Sequence, residues 1–315
     1  MSTAGTGSGD SADPAGFEGF VRAGTDRVPL HVRVEGRGPV CVLSTGLAMS
    51  WFDWAPVVPP LLAAHRTVVR FDRPGHGLSA APAAPPTAAG EAHRIAALLD
   101  ALGLPGPVTL AGHSLAGFHA EAFARLYPDR TAALVLLDSS VEATARTPAP
   151  GAAALRTAAA RALGRAVTAA GLPAAIGPLL RSAAVRAGSV GGPDPAPREL
   201  VRRCYRTGRV WQGALLENAR YPDMAAELLV LRATRPLTAP VTVLAAHDGS
   251  GRPAALRWLT RQAGLADALS ARFRVAEPSG HLVMLDRPQE VADAVLTAAD
   301  EAAGPGPYNE KRPYG

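Results

Sequence analysis

The sequence predicts an α/β protein, with a mostly parallel central sheet, helices on both faces and an inserted helical cap. Three observations carry that expectation. Short β-branched runs alternate with segments of helical periodicity. Several of these runs lead into Gly, His, Ser or Asp, the residues that turns and catalytic loops use. Nearly a hundred residues, 141–238, lie between two such runs without strand character.

Residues 28–34 alternate apolar and polar side chains, as an exposed antiparallel strand does. Val40–Ser44 is a short buried run, and Thr67–Phe71 is another that leads into Asp72-Arg73-Pro74-Gly75-His76-Gly77. Residues 108–111 run into Gly112-His113-Ser114, 133–137 precede Asp138, 241–245 precede His247-Asp248, and 273–276 precede Gly280-His281. Helical patterns occupy 88–102, 115–126 and 288–302. The last follows Asp286, a residue suited to an N-cap, and carries Pro288 in its first turn. Apolar strands separated by helices belong in a parallel sheet covered on both sides. The stretch 141–238 is Ala/Arg-rich, holds a Pro/Gly segment at 191–197 and reads as helices. The expected organisation is a disordered segment 1–16, a core formed by 17–140 and 239–303, a helical cap 141–238, and a flexible tail 304–315.

A chain of 315 residues, 48% hydrophobic and 19% charged, can bury a sizeable core. Its formal charge of +5 comes from dispersed arginines. There is no dense basic run, with or without interleaved aromatics, so nucleic acid is not an expected partner. No uninterrupted apolar run of about 20 residues is present, so no membrane span is expected. The first sixteen residues lack the basic-then-apolar order of a signal peptide, and a cytoplasmic address is the simplest expectation. Cys41 sits in an apolar run far from Cys204, which suggests packing and not a disulfide framework.

The central signal is Leu110-Ala111-Gly112-His113-Ser114-Leu115-Ala116-Gly117. A serine in a tight strand-to-helix turn has its oxygen thrust out at the positive end of a helix, and small flanking residues let strand and helix approach. The G-x-S-x-G pattern is met at Gly112 and Ser114 and departs at Ala116, with Gly117 one place later. His113, beside the nucleophile in sequence, is read as packing. A serine hydroxyl needs a base. Beyond the following helix, which contains His119, only His247 and His281 are available. His281, in the loop between the last strand-like run and the final helix, is the expected base. Asp248, after the preceding strand-like run, is the expected acid that fixes the imidazole tautomer, and Asp138 is the alternative. Oxyanion donors are expected from the backbone N–H of Leu115 and, in the Ser44-Thr45-Gly46-Leu47-Ala48-Met49 loop, of Leu47.

Together these residues resemble the α/β-hydrolase superfamily. The likeness covers about residues 21–302, excluding the cap, of which only the position is similar. It rests on Thr45-Gly46-Leu47, Asp72 to Ser79, Gly112 to Gly117, the stretch from Tyr127 to Ser140, and Ser279-Gly280-His281, in the family's order. The resemblance implies a site without metal or cofactor. Ser114 would attack a carbonyl, His281 would pass its proton to the leaving group, and water activated by His281 would release the acyl-enzyme. A serine nucleophile points away from the epoxide and haloalkane branches, which use Asp. Ester hydrolysis of a small-molecule acyl substrate is the default. Thioesters, lactones, amides, C–C bonds and perhydrolysis stay open, as does a non-hydrolytic tailoring or binding role on the same fold.

The cap contains fourteen arginines and no lysine against six acidic residues. A basic roof over a less basic core would draw in substrates carrying a carboxylate or phosphate. The alternative is that GC-rich coding has placed arginine on solvated helix faces. Oligomeric state is not legible in the sequence.

Overall fold

The computed structural model describes residues 16–104, 106–142, 144, 149 and 151–303. The expected terminal segments 1–16 and 304–315 lie outside these residues, apart from Gly16.

Eight strands form one sheet: β1 (Glu18–Ala23), β2 (Val28–Glu35), β3 (Val40–Ser44), β4 (Thr67–Phe71), β5 (Val108–His113), β6 (Thr131–Leu137), β7 (Val241–Ala246) and β8 (Arg272–Ala276). Their order is β1-β2-β4-β3-β5-β6-β7-β8. The β1–β2 and β2–β4 pairs are antiparallel, and every later pair is parallel. The helices are α1 (Val58–Ala63), α2 (Ala88–Ala101), α3 (Ala116–Leu126), α4 (Ala152–Ala169), α5 (Leu172–Gly188), α6 (Arg198–Tyr205), α7 (Gly208–Thr234), α8 (Pro253–Ala268), α9 (Val283–Asp286) and α10 (Pro288–Ala303).

Alternation along each strand feeds two cores. Val42, Val69, Leu110, Leu134 and Leu136 face one side with Ile95, Phe118, Phe123 and Leu265 from α2, α3 and α8. Cys41, Leu43, Val68, Ala111 and Val135 face the other with Leu61, Val291 and Val295 from α1 and α10. The predicted fold class is therefore the observed one. One local expectation differs: β2 is antiparallel but largely buried, because β1 pairs along its outer edge, where no strand was expected.

The insertion between β6 and β7 is helical, formed by α4 to α7. On α5 every fourth residue, Pro173, Gly177, Arg181 and Val185, is buried, a stripe that turns one face inward. On α7 the stripe Arg209, Gly213 and Glu217 sits on the turn that follows β4. Arg209 donates to the carbonyls of Gly77 and Ser79. A Cβ on Gly213 would stand 2.7 Å from the carbonyl oxygen of Gly75, so helix and turn meet backbone to backbone. Among the described residues, no single helix is long and apolar enough to cross a membrane.

Asp286 does not act as the N-cap expected for the last helix. Its carboxylate accepts from the N–H groups of Gly280, Val190 and Gly191 and from the Ser189 hydroxyl, tying the loop before α9 to the end of α5. Two neighbouring loops with free amides compete successfully for the oxygens that would have capped α10.

The Gly213 contact is testable. In an open helix Gly→Ala adds about 1 kcal/mol of stability. At Gly213 the new methyl meets fixed backbone, and overpacking of that kind costs about 1–3 kcal/mol. Gly213→Ala is expected to lower the urea midpoint of unfolding; a rise would show that the seat is loose.

Candidate active site

Ser114 lies between β5 and α3 with φ 54°, in the left-handed region. Its N–H donates to Leu137 O (3.1 Å), and its carbonyl accepts from Gly117 and Ser140 (3.0 Å each). Gly112 is required where it stands: a Cβ there would lie 2.6 Å from Ala116 O and 2.8 Å from the Ala120 methyl. Ala116 fits because its methyl is small, and the following Gly117 packs against Ser139.

His281, in the loop between β8 and α9, brings Nε2 to 2.9 Å from Ser114 Oγ. Its Nδ1 is 2.5 Å from Asp138 Oδ2. Asp138, not Asp248, is thus the carboxylate on His281, and the expectation from sequence is corrected. Asp138 follows β6, the strand next to β5, and its φ of 40° turns the chain at the strand's end. Its other oxygen accepts from Trp258 Nε1 (2.7 Å) and from Ala246 N–H (3.0 Å), so the buried carboxyl is held by three donors. Asp248 lies two residues beyond the end of β7. It accepts from the Ser250 hydroxyl (2.7 Å) and N–H (3.0 Å) and from Arg252. Those Ser250 bonds, and then Arg252, hold its carboxyl well below the usual carboxylate range. Its oxygens are spent within its own turn.

His113 does more than pack. Its Nε2 is 2.8 Å from the carbonyl oxygen of His281, which makes it a strut under that loop. Burial, followed by the charge His281 acquires on protonation, keeps His113 well below the usual imidazole range and so neutral. Trp258, the Ala246 N–H and this His113 contact left no motif in the sequence. The one available signal was the position of Asp138 directly after the strand adjacent to the serine.

The loop after β3 closes the site from the other side. A Cβ on Gly46 would lie 2.8 Å from His113 Nδ1 and 3.0 Å from Ser114 Cβ, so only glycine fits there. Among the described residues, the backbone N–H groups of Leu47 and Leu115 make no hydrogen bond. A cavity of about 640 Å³ opens above Ser114 and His281. Leu47, Met49, Leu180, Val185, Val210, Trp211, Leu215 and Leu282 make its wall largely apolar. Most of that wall comes from the helical insertion. Among the described residues, no group of three or more His, Cys, Asp or Glu side chains is placed to hold a metal ion. Cys41 and Cys204 are both free and buried, and burial pushes each thiol up to about 12.

A serine on a strand–turn–helix, aligned with a histidine and a carboxylate on a sheet with one antiparallel end, defines a scaffold of the α/β-hydrolase type. The model of the Alpha/beta hydrolase family matches residues 41–294, and the chain belongs to that family. Bifunctional epoxide hydrolase 2 of Mus musculus is 33% identical over 114 residues, which are 36% of this chain and 20% of that protein. Lipase LipV of Mycobacterium tuberculosis is 39% identical over 119 residues, 36% of this chain and 43% of that one. The chain thus spans less than half the length of either relative. A thermophilic esterase from Thermogutta terrifontis shares the fold, with a TM-score of 0.67 at 24% identity over 91% of this chain and 99% of its own.

The two carboxylates can be told apart by the reactivity of Ser114 toward a fluorophosphonate. Asp138→Asn should slow labelling roughly 10³- to 10⁴-fold, as when a triad acid is replaced by its amide. Asp248→Asn should leave the rate within about threefold, as a change remote from the reacting atoms does. The opposite ranking would return the role to Asp248.

Proposed function

We propose that the protein is a serine hydrolase that cleaves a neutral, largely apolar ester, or a related thioester or lactone, through an acyl-enzyme on Ser114. The observation that carries this reading is the hydrogen-bonded line from Ser114 Oγ through His281 to Asp138, at the floor of an apolar cavity. The Asp138 carboxylate accepts from Nδ1–H, which leaves the Nε2 lone pair to receive the serine proton. Ser114 Oγ then attacks the carbonyl carbon. The oxyanion forms at the N-terminus of α3, with the Leu115 and Leu47 N–H groups as its donors. His281 returns the proton to the leaving group and takes another from water; the hydroxide attacks the acyl carbon, the Ser114–acyl bond breaks, and His281 gives that proton back to Ser114 Oγ as the acid leaves. Every step uses this chain's own groups and water.

Serine chemistry also favours acyl substrates over the epoxides named for some relatives. Attack of Ser114 on an epoxide carbon would leave an ether without a carbonyl for water to attack. A lipase among the relatives agrees with acyl transfer.

The cavity argues for a neutral substrate over the anionic one that the charge of the insertion suggested. Arg181 is the single arginine in its wall among the described residues, and its guanidinium is engaged by two carboxylates and a phenol. Nε donates to Asp194 (2.9 Å), Nη1 to Asp53 (3.0 Å) and to the Tyr205 hydroxyl (3.1 Å), and Nη2 to Asp53. Burial lowers its pKa, but Asp53, Tyr205 and Asp194 together outweigh that and raise it. An arginine so committed offers a substrate carboxylate nothing without losing these partners.

Two measurements test the reading. Ser114→Ala and His281→Ala should each lower turnover of p-nitrophenyl esters by about 10³-fold or more, with the double variant little worse. Near-wild-type activity in either folded variant would overturn the mechanism, and failure of the wild type to label with a fluorophosphonate would favour a binding or tailoring role. Between matched esters, a neutral hexanoate should exceed its ω-carboxylate analogue in kcat/KM at low and high salt alike. An advantage for the anionic ester that fades with salt would point to steering by the insertion.

A further inference from the structure

We infer that Glu217, in the helical insertion and outside the cavity, is a positioning residue for the oxyanion loop: by orienting Arg73 it aims the Leu47 N–H into the site. This rests on the acyl-transfer reading above.

Arg73 belongs to the turn after β4 and is almost completely buried. It donates Nη1–H to the carbonyl of Thr45 and Nη2–H to that of Gly46 (3.0 Å), two successive carbonyls of the loop that ends at Leu47. In a trans peptide the C=O and the following N–H point in opposite directions. Drawing Gly46 O inward to Arg73 therefore turns the Leu47 N–H outward, toward the side where Leu47 lines the cavity. That peptide needs such a hold. Glycine on its N-terminal side lets it rotate at small cost, and among the described residues the one other bond to Gly46 O is a 3.3 Å contact from Met49 N–H.

Glu217 sets the guanidinium. It accepts from Arg73 Nε (2.8 Å) and Nη2 (2.9 Å), a two-point fork that fixes the plane of the group as well as its charge. Burial alone would raise the Glu217 carboxyl; Arg73 and then His76 outweigh it and hold the group well below the usual carboxylate range. Glu217 also lies on the helix that forms much of the cavity wall, since Trp211, Ala214, Leu215 and Asn218 occupy the neighbouring face of α7. The helix that contacts the substrate thereby also sets the donor that receives the oxyanion.

The test compares wild type with Glu217→Gln and with the double variant R73M/E217M. Breaking one partner of a buried pair can prevent folding, whereas replacing both with apolar side chains of similar length is commonly tolerated. For each protein, reactive sites are counted from the p-nitrophenol burst or by fluorophosphonate labelling, and kcat per titrated site, KM and Tm are measured. Positioning predicts that kcat per site falls about 10- to 100-fold while KM stays within about threefold, because the lost contact serves the transition state and not the bound ester. A purely structural pair predicts a lower Tm or fewer reactive sites, with each remaining site as fast as wild type. Per-site turnover within about twofold of wild type in the folded double variant would overturn the inference. A wild-type enzyme that neither labels nor turns over ester would instead overturn the acyl-transfer reading, and the inference with it.

Discussion

The left-handed backbone at Ser114 costs a non-glycine residue about 1–3 kcal/mol, and the surrounding chain allows no relaxed alternative. The turn is fixed from two sides. The Ser114 N–H is bonded to β6 through Leu137, and its carbonyl is held by Ser140 just beyond that strand. The loop after β3 touches the side chain from the opposite direction. Three adjacent strand ends, those of β3, β5 and β6, thus converge on one residue. The same convergence places Asp138 on His281 and Leu47 in the cavity wall. The sheet order does this work: β3, β5 and β6 are neighbours in space although α1, β4 and α2 separate the first two in the chain.

Much of this was legible because apolar runs, helical periodicity and glycine punctuation are local. Val40–Ser44 and Thr67–Phe71 match their strands end to end. The first strand was missed because Glu18–Ala23 is an edge strand with largely solvated side chains, and so lacks an apolar run. The pairing of Ser114 with His281 was legible from the turns around them. The acid was not. Asp138 and Asp248 each follow a strand, and the choice between them depends on which carboxyl is free to accept. Ser250 and Arg252 occupy Asp248, while Trp258 and Ala246 N–H orient Asp138 toward His281. Backbone groups such as the donors proposed at Leu47 and Leu115 leave no side-chain pattern, so position in the motif is the sole guide to them.

Charge counting bears on the substrate only indirectly. The surplus of arginine in the insertion is real, but the count does not record pairing or direction. Arg181 and Arg209 are turned inward and saturated by carboxylates or carbonyls. Arg161, Arg165 and Arg186 are exposed on α4 and α5. The basic character of the insertion therefore resides on its outer surface and in neutralised struts, and the cavity it roofs is apolar.

The Asp286 carboxylate, which serves two loops and not α10, has a mechanical consequence. It joins Gly280, the residue next to His281, to Val190 and Gly191 at the end of α5, and Leu282 N–H adds a 2.7 Å bond to Gly188 O. At the far side of the cavity α7 is seated on the turn after β4. The insertion is therefore moored at both flanks, once to the loop of the histidine and once to the turn that carries Arg73. A rigid-body swing wide enough to uncover the serine would drag both moorings with it and disassemble the site it uncovered.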